Sequence, residues 1–158
     1  MAAGDETEGR WLEALRVYLG VLAAASLVWE MAHLPLYTIW STGSWRENAF
    51  AVVHCTGGDV LIGLTALATA LVLAGTPGWP ARSFRTVAGV AIPIGLAYTA
   101  FSEWLNVYVR GAWAYSEWMP LLHLGGKAIG LTPLAQWVVV PALAFAAVRR
   151  RCGLQDGG

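Results

Sequence analysis

The stretch AFAVVHCTGGDVLIGLTALATALVLA, residues 49–74, decides the fold of this chain. Its only Asp, Glu, Lys or Arg is Asp59, and it exceeds the roughly 20 apolar residues that a helix needs to cross a bilayer. The whole chain is 57% hydrophobic and only 13% charged, whereas a soluble domain carries about a quarter charged residues. A chain with this composition has too few polar residues to cover its apolar surface in water. The sequence therefore predicts an integral membrane protein.

Three further stretches have the composition of a spanning helix, and the last of them is short for a span. They cover residues 16–40, 86–109 and 133–148. Residues 110–132 are neither plainly polar nor long enough for a fifth span, which predicts an interfacial or re-entrant segment between the third and fourth helices. The predicted fold is all-α: a polytopic membrane protein with a four-transmembrane-helix bundle in a single domain.

The distribution of Lys and Arg predicts the orientation of the helices. Flexible tails are expected at residues 1–10 and 152–158, and four spans place both tails on one side with the loop at residues 75–85. That side holds Arg10, Arg16, Arg82, Arg85, Arg149, Arg150 and Arg151, whereas the other side holds Arg46, Arg110 and Lys127. Because basic residues favour the cytoplasmic side, both termini are predicted to be cytoplasmic, with the chain in the inner (plasma) membrane of the cell.

The polar residues of the four spans fall at one depth. At about 1.5 Å per helical residue, they lie between the predicted outer interface and the middle of the bilayer, whereas the inner halves of the spans are almost wholly apolar. Ionisable groups in hydrocarbon are costly and are usually functional or paired. The set comprises Glu30, His33, His54, Asp59, Glu103, Asn106, Arg110 and Gln136.

Structural and functional interpretations compete for several of these residues. Glu103 and Arg110 share a helix face, so an ion pair that closes the helix end explains them as well as a site does. His33 lies one turn from Glu30, and it could donate to a backbone carbonyl or act together with that acid. Asp59 follows two glycines in mid-helix, and no structural role offsets the cost of placing its carboxyl group in hydrocarbon. This favours a functional role.

The acids of this set suit proton transfer in a dry pocket. Carboxyl groups removed from water keep their protons to higher pH, and histidine titrates near neutrality. Glu30, Asp59 and Glu103 are therefore the predicted catalytic acids, with His33 as a relay or an orienting group. The predicted substrate-binding residues are Asn106, Arg110, Trp113, Tyr115 and Gln136. This set indicates a membrane-embedded acid–base enzyme that isomerises, hydrates or cyclises an apolar or lipid substrate.

Non-enzymatic functions remain open at this point. The same residues would serve a small carrier, a protein that handles protons or metal ions, or an accessory subunit, and the chain could form a homo-oligomer or join a partner membrane subunit. His33, His54 and Asp59 are candidate metal ligands, although no strong metal-ligand spacing is present. No motif implies a cofactor or nucleic acid, so the expected partners are the lipid bilayer and an apolar or lipid ligand.

The segment around Glu103 carries a resemblance to known proteins. FSEWLN (101–106), RGAWAYS (110–116) and PLAQW (133–137) resemble segments of small bacterial multi-span membrane proteins of uncharacterised function. Roughly a quarter of the chain is also similar to membrane-bound carotenoid hydratases and cyclases, in which an intramembrane acid precedes a Gly-aromatic-Tyr segment. That second resemblance implies Glu103 as the acid and Gly111, Trp113 and Tyr115 as lining residues.

Overall fold

Four long helices make up most of this chain. The computed structural model describes residues 2–74 and 78–154. All four helices are long and apolar enough to cross a membrane, which confirms the predicted all-α four-helix fold. In chain order, the elements are α1 (Ala2–His33), a 3₁₀ turn (Leu34–Leu36), α2 (Ile39–Thr42), α3 (Trp45–Ala74), α4 (Phe84–Trp104), a π-helical segment (Leu105–Arg110), β1 (Leu121–Leu124), β2 (Lys127–Gly130) and α5 (Leu131–Arg151).

The ends of the helices differ from the predicted boundaries. The first span is predicted to reach residue 40, but α1 ends at His33, because Pro35 has no N–H with which to continue the helix. At its other end α1 extends to Ala2, so residues 2–10 of the predicted tail are helical. Residues 155–158 of the predicted C-terminal tail lie outside the described residues.

The four long helices are arranged as a square. Helix α1 packs against α3 and α5, and α4 packs against the same two helices, so α1 is diagonal to α4 and α3 is diagonal to α5. At one end of the square, here called the termini end, Arg151 Nε of α5 donates to Glu13 Oε1 of α1 at 2.9 Å. The opposite end, here called the hairpin end, carries the connections from α1 to α3 and from α4 to α5.

Apolar side chains fill the half of the bundle nearer the termini end. All four long helices contribute, and the rings of Tyr18 and Phe145 lie 4.9 Å apart between their centroids. Among the described residues, this apolar core contains no Asp, Glu, Lys or Arg. Its buried members are Ala14, Tyr18, Leu22, Ala66, Leu67, Ala70, Trp79, Val87, Ala91, Val140, Ala144, Phe145 and Val148.

Two glycines allow neighbouring helices to approach closely. A Cβ atom at Gly63 of α3 would overlap the side chain of Leu22 on α1, and a Cβ atom at Gly95 of α4 would overlap the ring of Trp137 on α5. Small residues at helix contacts are a common basis of packing in membranes, where backbones gain van der Waals contact by close approach. Because Gly63 lies one turn from Asp59, its contact also sets how near α1 comes to that acid.

Gly95→Ala is expected to lower the free energy of unfolding by about 1–3 kcal/mol, the usual cost of forcing an extra carbon into a filled contact. The new methyl group would meet the Trp137 ring, which α5 cannot move without shifting its own contacts. Thermal unfolding in detergent micelles measures the effect. Gly89→Ala is the matched control, because nothing lies within 4 Å of a Cβ atom built there. Equal midpoints for the two variants would contradict the prediction.

The segment between α4 and α5 folds into a β-hairpin. Strands β1 and β2 are antiparallel, and Gly125 and Gly126 turn the chain between them with φ of 55° and 76°. Positive φ at both turn positions is typical of the tight hairpin turns that favour glycine. Tyr108 fastens the hairpin to the π-helical segment, since its hydroxyl donates to Ala128 O at 2.7 Å and accepts from Ala128 N at 2.8 Å.

The start of the same segment is hydrogen-bonded to the connection that follows α1. Thr38 N donates to Ala114 O at 3.0 Å, and Ser116 N donates to Leu36 O at 2.9 Å. These two bonds flank an antiparallel bridge between Tyr37 and Tyr115. We call residues 111–130 the cover segment, because it lies over the hairpin end in contact with the other connection.

Candidate functional site

Gln136 joins two carboxyl groups across the middle of the bundle. Its Nε2 atom donates to Asp59 Oδ2 at 2.6 Å and to Glu30 Oε1 at 3.2 Å. Helices α3 and α5 are diagonal in the square, so the contact between Asp59 and Gln136 crosses the axis of the bundle. An amide nitrogen has two hydrogens, and here each of them serves one acid. All three side chains are buried.

Two residues of α1 complete the surroundings of this acid pair. His33 Nε2 lies 3.1 Å from Glu30 Oε2, and the Ser26 hydroxyl is hydrogen-bonded to Asp59. Ser26, Glu30 and His33 recur at intervals of four and three residues, so one face of α1 presents all of them. The second ring nitrogen of His33, Nδ1, is buried without a hydrogen-bond partner among the described residues.

Glu103 of α4 is the third buried acid, and phenols from both connections of the hairpin end surround it. The Tyr115 hydroxyl donates to Glu103 Oε2 at 2.6 Å, and the Tyr37 hydroxyl makes a longer contact of 3.5 Å with the same oxygen. The indole N–H of Trp113 faces Glu103 without reaching hydrogen-bond geometry. Glu103 is only 5% exposed, although it lies near the end of its helix.

Aromatic contacts connect the two parts of the site. The His33 ring meets the Tyr37 ring edge-on with centroids 5.4 Å apart, and the Tyr37 ring lies 5.7 Å from that of Tyr115. Polar and titratable groups thus run from the bundle axis to the hairpin end. We call this set the acidic cluster, and its members are Glu30, His33, Tyr37, Asp59, Glu103, Tyr115 and Gln136.

The two phenols beside Glu103 are held in their protonated form. Burial raises the pKa of Tyr37 well above the ordinary value for tyrosine, and the nearby Glu103 raises it further. Burial also raises the pKa of Tyr115, and its hydrogen bond to Glu103 adds to that rise. Both hydroxyls therefore stay hydrogen-bond donors throughout the physiological pH range.

Tyr37 and Tyr115 are expected to remain protonated at pH values near 10, where an exposed tyrosine ionises. The double variant Tyr37→Phe/Tyr115→Phe should therefore show the same gain in phenolate absorbance between about pH 9 and pH 11 as the parent protein. Because both pKa values are raised by folding, the stability that the phenols add is complete below about pH 10 and falls as the pH rises through the folded-state pKa. A smaller absorbance gain in the double variant would contradict this expectation.

Arg110 does not pair with Glu103, contrary to one of the sequence interpretations. Both residues are described, Arg110 is exposed, and no ion pair joins them. Seven residues of α-helix, at about 100° each, would return to the same face. The intervening π-helical segment has more residues per turn, so each residue rotates the chain through a smaller angle about the helix axis. Arg110 is therefore turned away from the face that carries Glu103.

Asn106 is buried, but its amide is used within its own helix. Its Nδ2 atom donates to Ser102 O at 2.8 Å and to Ser102 Oγ at 3.2 Å. Ser102 O also accepts from the backbone N–H of Leu105, so the amide adds a second hydrogen bond to that carbonyl at the start of the π-helical segment. Asn106 therefore lies beside the acidic cluster and supports the helix that carries Glu103.

His54 lies apart from the other candidate metal ligands. It is exposed on α3, and its ring stacks on Phe50 with an interplanar angle of 17° and centroids 5.4 Å apart. Five residues of α-helix separate His54 from Asp59 by well over a third of a turn. Within residues 2–74 and 78–154, no three His, Cys, Asp or Glu side chains come close enough to hold a metal ion.

Three members of the site region were not among the predicted site residues. Ser26 and Tyr37 extend the Glu30–His33 stripe of α1 at the same spacing, so the helical repeat could have identified both. Thr99 is buried one turn before Glu103, and its hydroxyl has no hydrogen-bond partner among the described residues. Trp113, Tyr115 and Gln136, predicted to bind substrate, lie beside or within the acidic cluster.

The chain thus combines four membrane-compatible helices with a buried acidic cluster near the hairpin end. Comparison with known proteins finds no matching family model, no similar curated protein and no similar solved structure. Its own geometry therefore describes it best: a four-helix membrane protein in which acids of α1 and α3 meet at a glutamine of α5, and a third buried acid, on α4, contacts two phenols.

Proposed function

We propose that the protein is a membrane-embedded enzyme that performs acid–base chemistry on an apolar or lipid substrate. The observation that carries this proposal is the pair of carboxyl groups, Glu30 and Asp59, that share the single amide donor of Gln136 at the bundle axis. Two buried acids that share a donor are a costly way to stabilise a bundle, because apolar residues would fill the same space without removing charge from water. They are a good solution for moving a proton.

The pair is suited to hold one proton between its two acids. Two negative charges on neighbouring carboxyl groups repel strongly where water is excluded, and the partners of this pair within the described chain, Gln136, Ser26 and His33, include no Lys or Arg. One carboxyl group that keeps its proton can act as an acid while its neighbour acts as a base. His33 contacts Glu30 and can pass a proton to or from the pair.

Glu103 supplies a second proton-transfer position in the same half of the bundle. Tyr115 and Tyr37 donate to one oxygen of its carboxyl group, Oε2, which leaves the other oxygen free of those contacts. In isomerisation of a carbon–carbon double bond, one acid adds a proton to an alkene carbon and a base removes a proton from a neighbouring carbon. The Glu30–Asp59 pair and Glu103 are separate groups that can serve those two steps.

The charges of the site favour a neutral substrate. Among the described residues, the buried polar set contains no Lys or Arg, so nothing in it would offset the charge of a phosphate or a carboxylate. Three buried groups near Glu103 lack hydrogen-bond partners within the described chain: His33 Nδ1, Thr99 Oγ1 and Trp113 Nε1. Buried polar groups without a protein partner take water or a ligand group as their partner. A hydroxyl or carbonyl group at one end of an apolar substrate would supply it.

The position of the acidic cluster supports an enzyme over a protein that conducts protons across the membrane. A conducting path needs polar groups on both sides of the bilayer. Here they occupy only the half near the hairpin end, and the apolar core fills the half near the termini end. A small carrier and an accessory subunit are the remaining alternatives. A carrier would produce flux of a substrate into liposomes without forming a product, and an accessory subunit would retain a fixed partner chain.

The proposal can be tested without knowing the substrate. The purified protein, reconstituted into nanodiscs, is incubated in deuterated water with neutral lipids extracted from membranes, and the lipids are analysed by mass spectrometry. Isomerisation, hydration and cyclisation each place a solvent-derived proton on carbon, so the expected result is deuterium in one class of neutral lipid. Deuterium in no lipid above the level seen with empty nanodiscs would refute the proposed function.

We also propose that both termini face the cytoplasm of a cell whose plasma membrane holds the protein. The support is the excess of arginine at the termini end over basic residues at the hairpin end. In this orientation the acidic cluster lies in the outer half of the bilayer. A protease-cleavable tag at the C-terminus should be accessible only after the cells are opened, and cleavage on intact cells would reverse the orientation.

A further inference from the structure

A groove opens between α1 and α5 near the termini end. Its volume is about 550 Å³, and its lining residues are Val17, Leu143, Ala146, Ala147, Arg150 and Arg151. Four of these six side chains are apolar, and the two alanines leave the depression because their side chains are short. The two arginines belong to the last turn of α5, so the charged part of the groove lies at the end of a membrane span.

The two guanidinium groups of the groove differ in their contacts. Arg151 Nε donates to Glu13 Oε1 of α1 at 2.9 Å, an exposed ion pair that links the two helices. Arg150 is exposed, and no ion pair engages it among the described residues. One arginine is therefore in an ion pair and the other is available to a ligand.

We infer that this groove binds an anionic phospholipid. The apolar walls lie within a membrane span, where an acyl chain is the neighbouring solvent. The guanidinium groups stand at the end of that span, at the level of lipid phosphates, and arginine binds phosphate oxygens with strong, directional hydrogen bonds. An anionic headgroup lacks the ammonium group that offsets the phosphate charge of a zwitterionic lipid, so its net negative charge is attracted by the run Arg149–Arg151.

This lipid site is separate from the acidic cluster. The groove lies near the termini end on the outer surface of the α1–α5 contact, whereas the cluster lies inside the bundle toward the hairpin end. The groove has arginine and the cluster has buried acids, so the two would select lipids of different charge. Lipid bound in the groove is therefore not the substrate of the proposed reaction.

The test measures binding of two defined lipids to the purified full-length protein in detergent. Phosphatidylglycerol and phosphatidylcholine with identical acyl chains are titrated separately, and native mass spectrometry counts the bound lipids. We expect tighter retention of phosphatidylglycerol, and an approximately fivefold loss of that binding in Arg150→Gln, which corresponds to about 1 kcal/mol per basic residue near a lipid surface. Ala147→Leu should also weaken binding, because it fills the groove and leaves every arginine in place.

Two control variants separate the groove from general effects. Arg46→Gln removes a basic residue at the hairpin end, and Ala68→Leu enlarges an exposed alanine on α3 outside the groove; neither should change the retention of phosphatidylglycerol. Equal retention of the two lipids would overturn the inference. It would also fall if Arg150→Gln behaved like Arg46→Gln, or if Ala147→Leu bound phosphatidylglycerol as tightly as the parent protein.

Discussion

Asp59→Asn is expected to lower the rate of deuterium transfer into neutral lipid by about 10²–10⁴-fold, the contribution that a positioned acid or base usually makes. The asparagine has nearly the same shape as aspartate, and its side-chain oxygen can still accept the 2.6 Å hydrogen bond from Gln136 Nε2. What it cannot do is release or take up a proton. The loss should therefore fall on turnover, while the fold and the neighbouring hydrogen bonds persist.

The deuterium assay and a thermal melt, made on the same preparation, check this result. Thr65→Val is the matched control, because Thr65 is an exposed polar residue of α3 whose hydroxyl only donates to Leu61 O at 2.8 Å. It should label lipid at the parent rate. If Asp59→Asn also labelled lipid at the parent rate, the proton-transfer step would lie outside the Glu30–Asp59 pair, and the assignment of that pair would be wrong.

Gln136→Leu is expected to destabilise the protein by about 1–3 kcal/mol, the usual cost of leaving a buried polar group short of a hydrogen-bond donor, and by more where that group is charged. The leucine would fill the space, but it would remove the donor from both Asp59 Oδ2 and Glu30 Oε1. Neither acid has another route to water, since each is 8% exposed. Chemical unfolding in mixed micelles measures the change in free energy.

A double-mutant cycle makes the Gln136 prediction specific. In Gln136→Leu/Asp59→Asn, only one of the two buried acids remains, so the repulsion between them and one carboxyl group that lost its donor are both removed. The double variant should therefore be more stable than Gln136→Leu alone, which is a coupling between the two positions. Additive losses of stability would show that Gln136 matters only for packing.

The four helices could be predicted from the sequence because hydropathy and length carry the information directly. A run as long and apolar as residues 49–74 is expected in a bilayer, where an α-helix satisfies all of its backbone polar groups. The end of α1 could not be predicted from hydropathy, because the apolar run continues to residue 40 and a hydropathy value does not register the missing N–H of Pro35. Chemistry of the backbone, and not hydropathy, ends that helix.

The positions of the acids could also be anticipated, because counting residues along four antiparallel spans places polar groups at comparable depths. The relation between Glu103 and Arg110 could not, because that counting assumes uniform α-helix and a π-helical segment lies between them. The hairpin did carry a local signal. Gly125-Gly126 between two short apolar runs is typical of a tight β-turn.

The bridge between Tyr37 and Tyr115 has a further consequence for how the site would open. The two connections of the hairpin end are hydrogen-bonded to each other at Thr38–Ala114 and Ser116–Leu36, on both sides of that bridge. Neither connection can move away from the other without breaking those hydrogen bonds. Separation of the two would also move the hydroxyls of Tyr37 and Tyr115 away from Glu103. Opening the site at the hairpin end would therefore remove the hydrogen bonds of Tyr37 and Tyr115 to Glu103, so Glu103 has both partners only while the site is closed.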